Sequence, residues 1–189
     1  MALPRVEVKT DNIDKVLKAL TALVNQQILV GIPETMNHRE DDPINNAQIG
    51  YAMEFGVPSH NVPARPSLIP GVEDAKERAL RKLKAAADAT MQGLPAIATQ
   101  FLNQAGQICR DSVRRRINSN LPPPLKPGTI RARKYARGTK SRRKSERLYM
   151  ALIAQGMEPG DAQSEAGIKS LVNTGQFRNS MTYVIRKRK

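Results

Sequence analysis

Residues 47–70 read AQIGYAMEFGVPSHNVPARPSLIP, and the rest of the chain is organised around them. The stretch opens as a short helix, with Ile49 and Met53 on one face and Ala52 beside them. Gly56 and Pro58 stop that helix. Pro63 and Pro66 then stiffen an extended crossing, because proline fixes φ and pushes the preceding residue towards extended backbone. Arg65 lies between those two prolines, so a rigid backbone sets its direction. A long helix starts between Ser67 and Pro70. The stretch predicts a stiff connector that sets one element against another.

Helices flank the connector on both sides. Upstream, a side-chain oxygen of Asp11 or Asn12 is placed to cap a helix running to Val24, with Ile13, Val16, Leu17, Leu20, Leu23 and Val24 on one face. Residues 27–32, QILVGI, read as a buried strand ended by Pro33, and Val6 and Val8 mark a second short strand. Downstream, residues 72–91 are helical, with acids at the start and bases after them. Gly93 and Pro95 break that run. A second helix over 94–117 carries Ile97, Phe101, Ala105, Ile108 and Val113 as its apolar stripe. Arg114, Arg115 and Arg116 close it, as positive charge commonly does at a helix C-terminus. Aromatic residues make up 4% of the chain and Trp is absent, so the core rests on aliphatic and small side chains.

The formal net charge of +14 is unevenly spread. Residues 1–125 hold 15 Lys and Arg against 13 Asp and Glu, whereas 126–189 hold 16 against 4. That step divides the chain into an α+β core over 1–125, a basic linker or insertion over 126–169, and a turn and strand over 170–189 that return to the core. The core is a small, mostly antiparallel sheet packed with several helices. Residues 121–128, LPPPLKPG, form a semi-rigid linker, and Thr129 caps a short helix through Tyr135. The following basic segment reads as an extended arm, with a turn or two of helix over 148–155 and a polar loop over 157–166. Asn173 or Thr174 caps a short turn. The run 180–185, with Met181, Tyr183 and Ile185 on one side, pairs with 27–32 or with Val6–Val8.

Catalytic patterns are missing. No phosphate-binding glycine loop, nucleophile elbow or HExxH zinc motif occurs, and one cysteine with two histidines falls short of a structural zinc site. The loop 34–43 holds His38, Glu40, Asp41 and Asp42 but lacks the ligand spacing and turn glycine of a calcium loop. It reads as solvated, as does His60 in the connector. Cys109 reads as a small hydrophobe of the helix stripe, with no histidine placed to activate it. These absences point to a protein without enzymatic activity or cofactor. A lone cysteine points to a reducing compartment, and no stretch approaches the roughly 18 apolar residues of a membrane span. MALPRVEVKTDN lacks the apolar centre of a signal peptide, so assembly in the cytoplasm is expected.

The basic residues Arg131, Arg133, Lys134, Arg137, Lys140, Arg142, Arg143, Lys144 and Arg147 leave two readings open. They contact nucleic-acid phosphates, with steep salt dependence, or they dock on an acidic protein surface. Only Tyr135 and Tyr149 lie near enough to stack bases, and no helix-turn-helix, zinc-finger or RNA-binding signature is visible.

Three patches, 49–74, 123–134 and 170–186, resemble the tail-completion, or head–tail joining, proteins of tailed bacteriophages. Glu54, Phe55, Gly56, Pro63, Ala64, Arg65 and Pro66 match an EFG…PARP core. Pro124, Leu125 and Thr129 match a P-L-x-x-x-T segment. Leu171, Thr174, Gly175, Gln176, Arg178, Ser180 and Tyr183 match an L-x-D-T-G ending, with Asn173 in place of Asp. Ser67 stands where an aromatic residue is common, and 139–167 looks like an insertion. The resemblance implies a non-enzymatic virion protein of α+β fold. It implies assembly with copies of itself into a six-fold ring around the DNA channel, against neighbouring neck and tail-tube proteins. The alternative is an accessory protein that binds nucleic acid through its basic C-terminal third.

Overall fold

The computed structural model describes residues 13–39, 43–135 and 140–188; for 134, 135 and 140–143 only the backbone is described. The order of elements is α1 (Ile13–Val24), β1 (Gln26–Gly31), α2 (Asn46–Phe55), α3 (Leu68–Met91), α4 (Pro95–Asn118), α5 (Pro127–Tyr135), α6 (Lys140–Ala154), α7 (Pro159–Glu165), α8 (Gln176–Ser180) and β2 (Thr182–Lys187). The expected α+β architecture is present. β1 and β2 form a two-stranded antiparallel sheet in which Ile28 faces Ile185 and Val30 faces Tyr183. The strand suggested at Val6–Val8 and the caps at Asp11 or Asn12 lie outside the described residues, as do Glu40, Asp41 and Asp42.

The long helices α3 and α4 form a hairpin turned by Gln92–Leu94, where Gly93 has φ +75° and Pro95 occupies the first turn of α4. Small side chains let the two helices approach closely. Ala75, Ala79, Ala86 and Ala89 of α3 are buried, opposite Ala98, Leu102, Ala105, Cys109 and Val113 of α4. At the open end, a Cβ on Gly71 would lie 2.8 Å from the Cα of Val113, closer than side-chain packing allows. Burial pushes the Cys109 thiol pKa up, against a smaller pull from the charge of Arg78. This is the behaviour of a packed hydrophobe.

The stripe of α4 is rotated from the one expected. Ala98, Leu102, Cys109 and Ile117 are buried beside Ala105 and Val113, while Ile97 is exposed. Small residues can fill a close helix–helix seam, and a pattern read from large side chains alone points elsewhere. The sheet packs on the outside of the hairpin. The Tyr183 ring occupies the space a side chain at Gly106 would need, and its hydroxyl donates to Asn103 Oδ1 at 3.1 Å. The strand over 27–32, expected to be buried, is half-exposed, with Leu29 on the open face, because two strands cover only one side. α1 likewise has no buried residue. Leu23 packs beside Ala86 and Leu102, whereas Ile13, Leu17 and Val24 are exposed.

From Lys140 onward the expected extended arm is helical, and so is most of the expected polar loop, while residues 136–139 of the arm lie outside the described residues. α6 runs for 15 residues and α7 starts at Pro159. The cause is an apolar cluster of their own: Leu125, Ile130, Tyr149, Ala162, Ala166 and Ile168 pack together, with Met150, Leu152 and Ile153 beside them. α5 also starts at Pro127 rather than after a Thr129 cap, as suits a proline whose missing N–H would be unpaired in a first turn.

Candidate assembly site

α2 starts at a capping box: the Asn45 side chain accepts from Gln48 N at 2.8 Å, and Gln48 Oε1 accepts from Asn45 N at 3.0 Å. It ends at Gly56, whose φ is +77°. A Cβ there would lie 2.9 Å from Ala64 N and 3.2 Å from Val62 O. Gly56 is required both by its backbone angle and by the chain folding back against it. Val57 and Val62 close that fold as an isolated antiparallel bridge, and Arg65 N donates to Met53 O at 2.6 Å.

Glu54 is 8% exposed, and its carboxylate does the capping for another helix. Oε2 accepts from Ser67 N at 2.7 Å and Leu68 N at 2.8 Å, and Oε1 accepts from Ile69 N at 2.8 Å. Ser67 itself makes no side-chain cap. A helix start presents unpaired N–H groups and a positive dipole end, which a carboxylate satisfies. α2 therefore fixes the origin of α3 through one side chain.

Arg65, 5% exposed, fastens the connector to the proline linker. Its Nε donates to Pro123 O at 2.9 Å and its Nη2 to Pro124 O at 3.3 Å. Burial pushes its pKa down, yet an arginine stays cationic. Arg133 performs a similar task on the next segment, donating to Lys169 O at 3.3 Å and Ser170 O at 3.1 Å. Between the connector and the linker runs a groove of about 680 Å³. Phe55, Pro58 and Pro63 line one side, Pro124, Leu125 and Thr129 the other, and Arg133 and Ser170 also border it.

The apolar residues of the third patch belong to the core. Leu171, Phe177 and Met181 pack with Val113 and Ile117, and Ile49 and Met53 of α2 rest on that cluster. Gly175 is buried with φ +86° and precedes α8 without a side-chain cap. Thr174 is exposed, and its Oγ1 accepts from Gln176 N at 3.4 Å. Ser180 Oγ donates to Phe177 O at 2.8 Å, and Arg178 reaches Asn118 Oδ1 at 3.4 Å. Pro66 is exposed, and its carbonyl accepts from Arg116 Nε at 3.3 Å. Arg114 holds Met181 O and Asn179 O, each at 3.0 Å. Two of the three arginines that close α4, Arg114 and Arg116, thus bind other segments rather than only facing its dipole.

An apolar surface adjoins the groove. The Tyr51 and Phe55 rings lie 4.8 Å apart, tilted, and are 69% and 59% exposed; Ile69 beside them is 60% exposed. Of the basic residues, Arg131, Lys144 and Arg147 are exposed, and Arg133 is half-buried. Arg137 and the side chains of Lys134, Lys140, Arg142 and Arg143 lie outside the described residues. Among the described residues, no group of three or more His, Cys, Asp or Glu is placed to hold a metal ion. Among them, too, no helix is long and apolar enough to cross a membrane.

Sequence reasoning picked out Glu54 and Arg65 but not their partners. No local pattern signals a cap supplied from 13 residues away or a clasp spanning 58. Gln163 was missed altogether. It is fully buried, accepts from Leu125 N at 2.6 Å, and donates to Asn120 Oδ1 and to Ser170 Oγ, the latter at 2.9 Å. The chain matches no protein family, no curated protein and no solved structure.

Proposed function

We propose that this chain is a structural subunit of the neck of a tailed-phage virion, completing the tail end and joining it to the head connector as a six-fold ring around the DNA channel. One observation carries the reading. The three patches that resemble tail-completion proteins, separated by up to a hundred residues, form one block: connector above, proline linker beside it, α8 and Leu171 below. A subunit that must hold a fixed angle to its neighbours needs such a joint, and Glu54, Gly56 and Arg65 stiffen it by three different means. The exposed Tyr51, Phe55 and Ile69 offer apolar area for contact with another subunit.

The test is mass and shape in solution, by light scattering and negative-stain images, with and without purified tails. A discrete ring, or a monomer that joins the tail end, is the expected result. A monomer that ignores tails and heads yet binds DNA overturns it.

A second reading, an accessory nucleic-acid binder, is favoured by α6. Lys144 and Arg147 are exposed three residues apart on one face of that helix, as phosphate contacts require. Retention on DNA that falls steeply with added salt distinguishes it.

A further inference from the structure

We infer that the groove between the connector and the proline linker seats an extended segment of a partner protein that carries carboxylates among apolar side chains. The inference rests on the reading of this chain as an assembly subunit and names the chemistry of what one face of that subunit receives.

The walls set the shape of the occupant. Phe55, Pro58 and Pro63 face Pro124 and Leu125 across the groove. Proline has no N–H, so these walls offer apolar contact and few hydrogen bonds. One wall runs from the end of α2 through a 3-10 turn at Pro58–His60 to Pro63, the other is the proline linker entering α5, and Arg65 ties one to the other through two carbonyls. The groove is therefore formed before anything enters it, and little ordering cost falls on binding. A preformed groove with proline-rich walls and a polar rim of Asn61, Thr129 and Ser170 suits an extended peptide.

The charge sets the chemistry. Arg65, Lys126 and Arg133 line the groove, and its lining contains no Asp or Glu. Arg65 is nearly buried and spends its guanidinium on main-chain carbonyls, so it contributes field rather than a direct clasp. Lys126 is exposed at the rim and forms no ion pair among the described residues. Low-dielectric walls with one sign of charge focus that field on the occupant. A nucleic acid would need a row of exposed cations along its phosphates and, for a single strand, rings on which its bases stack. One exposed lysine between proline walls fits a carboxylate in an apolar segment instead.

Lys126 and Ala64 are both exposed on the groove, so Lys126→Glu and Ala64→Glu alter its charge without touching the core. The experiment pans a displayed library of short random peptides on the full chain. It then measures the enriched peptide by fluorescence anisotropy on the wild type and both variants, each checked for an unchanged melting temperature. The expected enrichment is Asp or Glu set among Leu, Val and Pro, with affinity falling about tenfold on either variant and falling with salt. Failure to enrich any peptide, enrichment of basic or uncharged sequences, or affinity indifferent to both variants overturns the inference. Light scattering with tails on the same preparation separates the two readings. Tail association without acidic-peptide binding removes the groove inference alone. Peptide binding without ring or tail association removes the neck reading alone.

Discussion

The α3–α4 hairpin and the unit built over residues 120–170 are held together in opposite ways. The hairpin is closed by shape: alanines and Gly71 bring two long helices so near that a single added carbon has no room. The second unit has an apolar cluster of its own, but polar contacts fasten its segments to one another. Gln163 joins Leu125, Asn120 and Ser170, while Arg65 and Arg133 bind carbonyls of the chain that enters and leaves it. A seam made by shape is intolerant of added volume. A hub made by hydrogen bonds is intolerant of a lost partner, because the buried group left behind loses its solvation without compensation. The comparison also shows that the basic composition of the C-terminal third is not all surface: Arg133 works inside the fold.

The joint between these regions should be the most sensitive point. Glu54→Ala strips the carboxylate from three N–H groups at the start of α3 and is expected to cost about 3 kcal/mol. Urea unfolding reads the loss directly. An effect below about 0.5 kcal/mol, the range of an ordinary surface change, would mean that water caps α3 equally well.

Gln163→Leu keeps the volume and deletes the hub, leaving Leu125 N without its acceptor. About 2 kcal/mol is expected. Hydrogen exchange should accelerate over α5–α7 while α3 and α4 stay protected. Uniform acceleration through the hairpin would erase the distinction drawn between the two regions.

Gly71→Ala tests the shape-closed seam. Alanine favours a helix by about 1 kcal/mol over glycine, but here its Cβ meets Val113, so a net loss of about 1 kcal/mol is expected. Gly128→Ala is the internal comparison, since a Cβ there meets nothing within 4 Å. It should be neutral or slightly stabilising in thermal melts. Equal behaviour of the two variants would place the helices further apart than described.

The smallest effect on stability is expected from Lys144→Ser with Arg147→Ser, two exposed positions on α6: within about 0.5 kcal/mol. The same pair should weaken tail association or DNA retention and flatten its salt dependence. Unchanged binding would move the functional charge to other residues.

Much of the architecture was legible in the order of residues. The hairpin follows from two long periodic runs broken at Gly93 and Pro95, and the C-terminal strand was legible with two candidate partners, 27–32 and Val6–Val8, of which the fold pairs it with the first. The rotated stripe of α4 was not legible, because alanine and glycine carry little hydropathy signal although they set how closely helices pack. The helices α6 and α7 were obscured by charge. Lys and Arg dominate the start of α6, and the apolar positions that hold it, Ile130, Tyr149, Ala162 and Ile168, are scattered over three elements and a loop.

At the candidate site, Gly56, Pro63 and Pro66 could be understood alone, since restricted or permissive φ is a property of the residue itself. Glu54 and Arg65 could not. A carboxylate or guanidinium states only what it can bond, and its partners here arrive from elsewhere in the chain. Residue order alone sufficed for the turns at Gly56 and Gly93, the long helices α3 and α4 and the division of charge, but not for α7 or the start of α6. That Glu54 caps α3, that Arg65 and Arg133 are clasps, and that two proline stretches face each other across a groove came from the folded arrangement. Backbone preference is local, whereas hydrogen-bond and packing partners are chosen by the fold.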